Sequence, residues 1–161
     1  MKTKNPIKRV SIYDMDGTIV DSSHRYRTIT ENGITRIDLA HWRENEYRAM
    51  DDGLLPLAQQ YQEQLRDPAY YVIIATARVM HEPDYMFVRE ILGQPNYIIS
   101  RKEGETISGS KLKINGLQKF FNLRQFKPEM ATFYEDNVHY LKAVCDHFNM
   151  RGVYIPSVQG H

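Results

Sequence analysis

Apolar residues along the chain follow two alternating patterns. Five short runs, Val10-Ser11-Ile12-Tyr13, Tyr71-Val72-Ile73-Ile74-Ala75, Tyr97-Ile98-Ile99, Ala131-Thr132-Phe133-Tyr134 and Gly152-Val153-Tyr154-Ile155, are brief and rich in β-branched and aromatic residues, which predicts strands. Between them apolar residues recur every three or four positions, which predicts helices carrying Leu54, Leu57, Ala58, Tyr61 and Leu65; Tyr85, Val88, Ile91 and Leu92; Ile114, Leu117, Phe120 and Phe121; and Val138, Leu141, Val144, Cys145 and Phe148. Asp38 is placed to cap one more helix running to Met50, with Leu39, Trp42 and Met50 facing inward. Asn32-Gly33, Asp67-Pro68, Gly93 and Lys127-Pro128 punctuate these elements. Strands that alternate with helices predict an α/β fold: a Rossmann-like parallel sheet covered by helices on both faces. We expect a single domain over 1–161, with 21–66 as a small helical cap inserted after the first strand.

In such a sheet, ligands bind beyond the carboxyl ends of the strands. The chemically suggestive residues fall there. Asp14 and Asp16 follow the first strand, with Gly17 to turn the backbone sharply; Thr76 ends the second; Glu135 and Asp136 end the fourth. Paired carboxylates repel unless a cation or a shared proton relieves them. The bland alternative is a solvated Asp-rich turn, but convergence at one sheet edge argues for an oxygen-rich site of the kind that suits Mg²⁺. There a carboxylate can attack phosphorus, a second can move the proton, a threonine can bond a phosphoryl oxygen and a lysine can neutralise charge.

Composition narrows the setting. The 21 basic and 20 acidic side chains nearly cancel, so any polyanion site is a local patch. The single cysteine, Cys145, lies in an apolar helical pattern and reads as core, in a chain suited to a reducing compartment. No run is apolar enough for a membrane span and no signal-peptide core follows the basic amino terminus, so a cytoplasmic protein without membrane partners is expected. The eleven tyrosines read mainly as packing, with Tyr26, in a cationic loop, as the exception to watch.

This ordered set resembles the haloacid dehalogenase superfamily of phosphohydrolases over residues 10 to 155. Asp14-Met15-Asp16-Gly17-Thr18 is similar to its first motif, Thr76 in Ile74-Ala75-Thr76-Ala77-Arg78 to its second, Lys113 or Lys111 to its third, and Glu135-Asp136-Asn137 to its fourth. The resemblance implies Asp14 as nucleophile and Mg²⁺ ligand. Asp16 would be the general acid/base and would lend the metal its backbone carbonyl; Asp136 would be a direct ligand, and Glu135 a direct or water-bridged one. It implies phosphate contacts from Gly17, Thr18, Thr76 and the Ala77 amide, although Ala77 stands where the family more often has Gly. Arg78 can reach phosphate or pair with a neighbouring carboxylate.

A narrower resemblance is to the 3′-phosphatase domain of phage-type polynucleotide kinase, through Asp16-Gly17-Thr18, Asp21, His24-Arg25, Trp42, Arg101 and Lys113 with Leu117, a spacing that favours Lys113 over Lys111. It implies a cationic rim of His24, Arg25 and Arg101 that receives a phosphorylated nucleic-acid end or a nucleotide. The kinase's Gly-rich phosphate loop is not in the sequence, so a stand-alone phosphatase is expected, any kinase or ligase being a separate partner. The functions carried forward are a Mg²⁺-dependent phosphomonoesterase on nucleic-acid 3′-phosphates, a 5′(3′)-nucleotidase or other small-molecule phosphatase, and a non-catalytic binding module of the same fold. The motifs leave open the choice of DNA or RNA and the oligomeric state.

Overall fold

The computed structural model describes residues 7–25 and 27–157. In chain order the strands are β1 (Arg9–Tyr13), β2 (Val20–Asp21), β3 (Thr28–Glu31), β4 (Ile34–Ile37), β5 (Gly53–Leu54), β6 (Tyr70–Val79), β7 (Tyr97–Arg101), β8 (Ala131–Glu135) and β9 (Arg151–Tyr154). The helices are α1 (Leu39–Glu44), α2 (Ala58–Leu65), α3 (Glu82–Phe87), α4 (Gly109–Phe121) and α5 (Val138–Phe148). A π turn, Val88–Leu92, continues α3.

The expected parallel sheet is present, in the order β7-β6-β1-β8-β9. β1 lies at its centre, between β6 and β8, with Ile12 beside Ile73 and Phe133. Because side chains alternate across a strand, each central strand feeds two cores. Ile12, Ile73, Ala75 and Phe133 pack under α4 and α5 with Leu112, Leu117, Phe120 and Val144. Tyr13, Val72 and Ile74 pack under α2 and α3 with Ala58, Tyr61, Phe87 and Leu92. The burial of both faces explains why these strands read as continuous apolar runs.

Several boundaries depart from expectation. β6 does not stop at Ala75 but runs to Val79, with its register against β7 shifting between those residues, so Thr76 and Arg78 lie within the strand. The helix expected from Asp38 to Met50 is only α1 followed by a 3-10 turn, Glu46–Asp51. Leu39 is 56% exposed instead of inward, because α1 stands over the strand tips and not on the sheet. Leu54 belongs to a strand and not to α2, and Val138, first residue of α5, faces out.

The excursion after β1 is also differently built. β2 and β5 pair antiparallel, Val20 with Leu54 and Asp21 with Gly53, and so form a two-strand neck. Residues 22–52 hang from that neck. α2 packs on β6 and belongs to the sheet layer, so the expected bounds of 21–66 are too wide. Nor is the excursion purely helical: β3 and β4 form a hairpin with Thr30 opposite Thr35. Its turn is Asn32-Gly33, with φ of 52° and 78°, the positive pair that a two-residue hairpin turn requires. Both strands are largely exposed, so no apolar alternation marked them. Among the described residues no helix is long and apolar enough to cross a membrane.

Phe133 sits at the middle of the sheet, fully buried. Phe133→Ala is expected to lower stability by about 3–5 kcal/mol, read from the urea midpoint with an unchanged denaturant slope.

Candidate active site

The carboxyl ends of β1, β6 and β8 meet at the floor of a cleft of about 720 Å³, within the range of roughly 300–1,000 Å³ usual for small-molecule sites. Asp14, Asp16, Thr76, Ala77, Arg78, Glu135 and Asp136 all line it. Residues far apart in sequence are therefore gathered by strand register alone.

Asp14 directly follows β1, and its amide donates to Tyr134 O on β8 at 2.9 Å, which fixes the two tips side by side. Carboxylate oxygens of Asp14, Glu135 and Asp136 lie within 4.8 Å of one another. Lys113, fully buried on α4, inserts its ammonium between two of them, at 2.9 Å from Asp14 Oδ1 and 2.6 Å from Glu135 Oε1. Of the two lysines weighed from the sequence, the geometry thus places Lys113 in the site. Lys111 is exposed, and its amide donates to the capping Ser108 Oγ at 3.2 Å. Glu135 Oε2 accepts from the amide of Asp136 at 3.1 Å, and Thr18 Oγ1 donates to Asp14 Oδ2 at 3.0 Å.

The electrostatics are unbalanced. Burial would raise Asp14, but the Lys113 ammonium and hydrogen bonds outweigh it and hold the carboxyl below its ordinary value. Glu135 is driven well up by burial and then by the Asp14 charge. Asp136 is pushed up to about 8 by burial and by its proximity to Asp14. One ammonium cannot neutralise three carboxylates, so the cluster lacks about two positive charges when fully ionised. Asp136 Oδ2 is buried with no hydrogen-bond partner among the described residues. An orphaned carboxyl oxygen beside two further carboxyl groups suits a small, hard divalent cation, so the donor set fits Mg²⁺.

Asp16 does not join this cluster. Its Oδ1 accepts from Ser22 Oγ at 2.6 Å, and Arg78 clamps both its oxygens, Nε reaching Oδ2 at 2.9 Å and Nη2 bonding Oδ1. Arg78 was weighed as a phosphate contact or a carboxylate partner, and here it is the latter: Nη1 also donates to Asp84 Oδ1 at 2.6 Å. These partners raise the guanidinium pKa against the opposing effect of burial.

The expected cationic rim is not formed. Arg25 is fully buried, forked onto Asp52 at 3.0 Å through Nε and Nη2, and its Nη2 also reaches Asp84 Oδ1 on α3 at 3.5 Å, which makes it a joint between excursion and core. His24 Nε2 lies 2.8 Å from the same carboxylate. Arg101 lines the cleft, but its guanidinium is spent on three carbonyls: Ala77 O at 2.8 Å, Glu105 O at 2.9 Å and Ile107 O at 2.7 Å. Trp42 is not core; its ring lies 4.3 Å from the Arg25 guanidinium and 5.4 Å from that of Arg78. Tyr26 lies outside the described residues.

Sequence reasoning missed Asp52 and Asp84. No local signal marks them, since they lie 27 and 59 residues from their shared partner Arg25. Thr76 Oγ1 accepts the Arg78 amide at 3.2 Å, which leaves its O–H free to donate into the cleft.

The model of the family described as bacteriophage T5 5′-deoxynucleotidase matches residues 1–144. A curated relative, the 5′-deoxynucleotidase of Escherichia phage T5, is 34% identical over 87 residues, 52% of this chain and 35% of that protein. The chain thus spans about a third of the length of the curated relative it matches. Among solved structures, the haloacid dehalogenase-like hydrolase SP0104 from Streptococcus pneumoniae matches with a TM-score of 0.66 at 14% identity, covering 94% of this chain and 88% of that one. A chain of the Pnkp1/Rnl/Hen1 RNA repair complex matches with a TM-score of 0.64 at 16% identity, covering 94% of this chain and 43% of that one. At these identities the structural matches speak for the fold.

Gly17 is required twice over. Its φ is +81°, and a Cβ there would lie 2.1 Å from Asp136 Oδ2. Gly17→Ala is expected to cost about 1–3 kcal/mol in backbone strain and to displace Asp136, so thermal unfolding should show both a lower midpoint and a smaller upward shift on adding Mg²⁺.

Proposed function

The chain belongs to the family of the bacteriophage T5 5′-deoxynucleotidase and has the haloacid dehalogenase fold, and from that premise we propose that it is a Mg²⁺-dependent phosphomonoesterase acting on nucleoside monophosphates through an aspartyl-phosphate on Asp14. The observation that carries this reading is the Asp14 carboxylate itself. It is held ionised by Lys113 at the floor of a cleft, 2.9 Å from the ammonium, beside an unpartnered Asp136 oxygen.

Asp14 and Asp136, with Glu135 directly or through water and the carbonyl of Asp16, would hold the ion. Bound there, Mg²⁺ supplies positive charge that offsets the anionic cluster and the substrate phosphate. The chain's own residues do the rest. An Asp14 oxygen forms a bond to phosphorus as the bond from phosphorus to the nucleoside oxygen breaks; Asp16 gives that oxygen its proton by entering the step protonated and turned out of the Arg78 clamp. Asp16 is left as a carboxylate, which Arg78 and Ser22 are placed to stabilise. A water then attacks phosphorus, gives its proton to Asp16 and releases inorganic phosphate from Asp14. The Thr76 hydroxyl, the Ala77 amide and Lys113 offer positive dipoles or charge to the phosphoryl oxygens. Residues 22–52 act as a small cap over this floor.

A second reading is removal of a 3′-phosphate from a nucleic-acid end, which rests on Asp16-Gly17-Thr18, Asp21, His24-Arg25 and Trp42. It needed exposed cations to receive a polyanion. With Arg25 buried and Arg101 spent on carbonyls, the support shifts to the mononucleotide.

Three measurements test the reading. Phosphate release from deoxynucleoside 5′-monophosphates should exceed that from a 3′-phosphorylated oligonucleotide; the reverse order would restore the second reading. Activity should vanish in EDTA and return with Mg²⁺, whereas persistence in chelator excludes the metal scheme. Asp14→Asn should lower turnover by at least about 10⁴-fold while the unfolding midpoint is kept, since the residue serves a strand tip and not the core. A folded variant that still turns over substrate refutes the assigned nucleophile.

A further inference from the structure

The cap brings to the cleft one face that the phosphate chemistry does not use. Ile37, Leu39, Trp42 and Arg43 of the cap line the cleft, as do Ile107, just before α4, and Tyr140 of α5. Leu39 and Arg43 are four residues apart on α1 and hence neighbours on its surface. The helix is anchored by Asp38, whose Oδ1 accepts the His41 amide at 3.2 Å, and by Trp42 against the Arg25 guanidinium. Its cleft face is therefore held firmly while its apolar side chain stays uncovered, Leu39 being 56% exposed.

The cations of the cleft divide sharply. Arg78 is committed to Asp16 and Asp84, and Arg101 to three carbonyls. Lys113, behind the floor, is committed to Asp14 and Glu135. The Arg43 side chain makes no hydrogen bond or ion pair with any described residue. A slot with apolar walls and one unspent planar guanidinium suits a flat ring that carries acceptors on its edge.

We propose that the part of the cleft lined by Leu39, Arg43, Ile107 and Tyr140 is a nucleobase subsite, and that Arg43 donates to a keto oxygen on the base. The inference rests on the nucleotidase reading of the floor and adds what that reading leaves out: how the nucleoside, and not just its phosphate, is chosen. Guanine fits best, since O6 and N7 are paired acceptors that match the guanidinium fork, whereas adenine has an amino group where guanine has O6.

Trp42 is the chain's single tryptophan and lines the same cleft, so its emission reports occupancy without any turnover. In EDTA, dGMP should change Trp42 emission saturably, and 2-deoxyribose 5-phosphate at the same concentrations should not. Arg43→Ala should weaken dGMP binding about tenfold, the scale of a hydrogen bond to a charged group, and weaken dAMP less; Arg43→Lys should recover part of the loss. With Mg²⁺, Arg43→Ala should raise KM for dGMP with kcat nearly unchanged, and leave kcat/KM for the sugar phosphate as it was. Equal responses to nucleotide and sugar phosphate, or unaltered dGMP affinity in Arg43→Ala, would overturn the subsite. Because Arg43 is exposed, its variants should fold normally. Should no phosphomonoester be hydrolysed, the reading of the floor fails while the fluorescence titration still decides the subsite.

Discussion

Three carboxylates crowd one edge of a parallel sheet, and a single buried ammonium stands among them. Everything else at that edge follows from the mismatch. Lys113 satisfies Asp14 and Glu135, so the deficit falls on Asp136, whose Oδ2 has no hydrogen-bond partner among the described residues and whose carboxyl is pushed up to about 8 by burial and its neighbour Asp14. Such a cluster is costly in an interior without a counterion. The same deficit suits the cluster to a small divalent cation. Gly17 is part of this economy, since any side chain there would occupy the space at the Asp136 oxygen.

A second charged array lies beside the first and serves a different end. Asp16, Arg78, Asp84, Arg25 and Asp52 form a buried chain of alternating sign, with Trp42 over both guanidinium groups. Arg25 and Asp52 belong to the excursion after β1, while Arg78 and Asp84 belong to the sheet layer. The array therefore joins the cap to Asp16 through fork-shaped bonds that tolerate little displacement. Breaking one member would leave its partner charged and buried, which explains why the arginines are unavailable to substrate although they stand so near it.

The parts of the site that were legible from the chain are those with a local signature. Asp14, Asp16 and Gly17 sit together in sequence, and Asp136 follows an apolar run that could only be a buried strand. The rim was misjudged because charge on a short polar stretch looks the same whether it faces water or an opposite charge. Arg25 became a joint only because Asp52 and Asp84 meet it after folding. The β3–β4 hairpin was hidden for a related reason: both its faces are wet, so the alternation that betrays a half-buried strand is missing.

What the amino-acid order determined by itself is the alternation of strand and helix, the two-sided burial of the central strands and the acidic residues at their tips, because each depends on periodicity and on neighbours along the chain. Tertiary structure alone decided that the Lys113 ammonium sits between Asp14 and Glu135, that Arg78 serves Asp16, that Arg25 is withdrawn from the surface and that Arg43 pairs with none of the described residues at the cleft. Those are matters of which charges meet across 27, 62 or 99 positions, and a pairing energy depends on distance and burial that no linear pattern records.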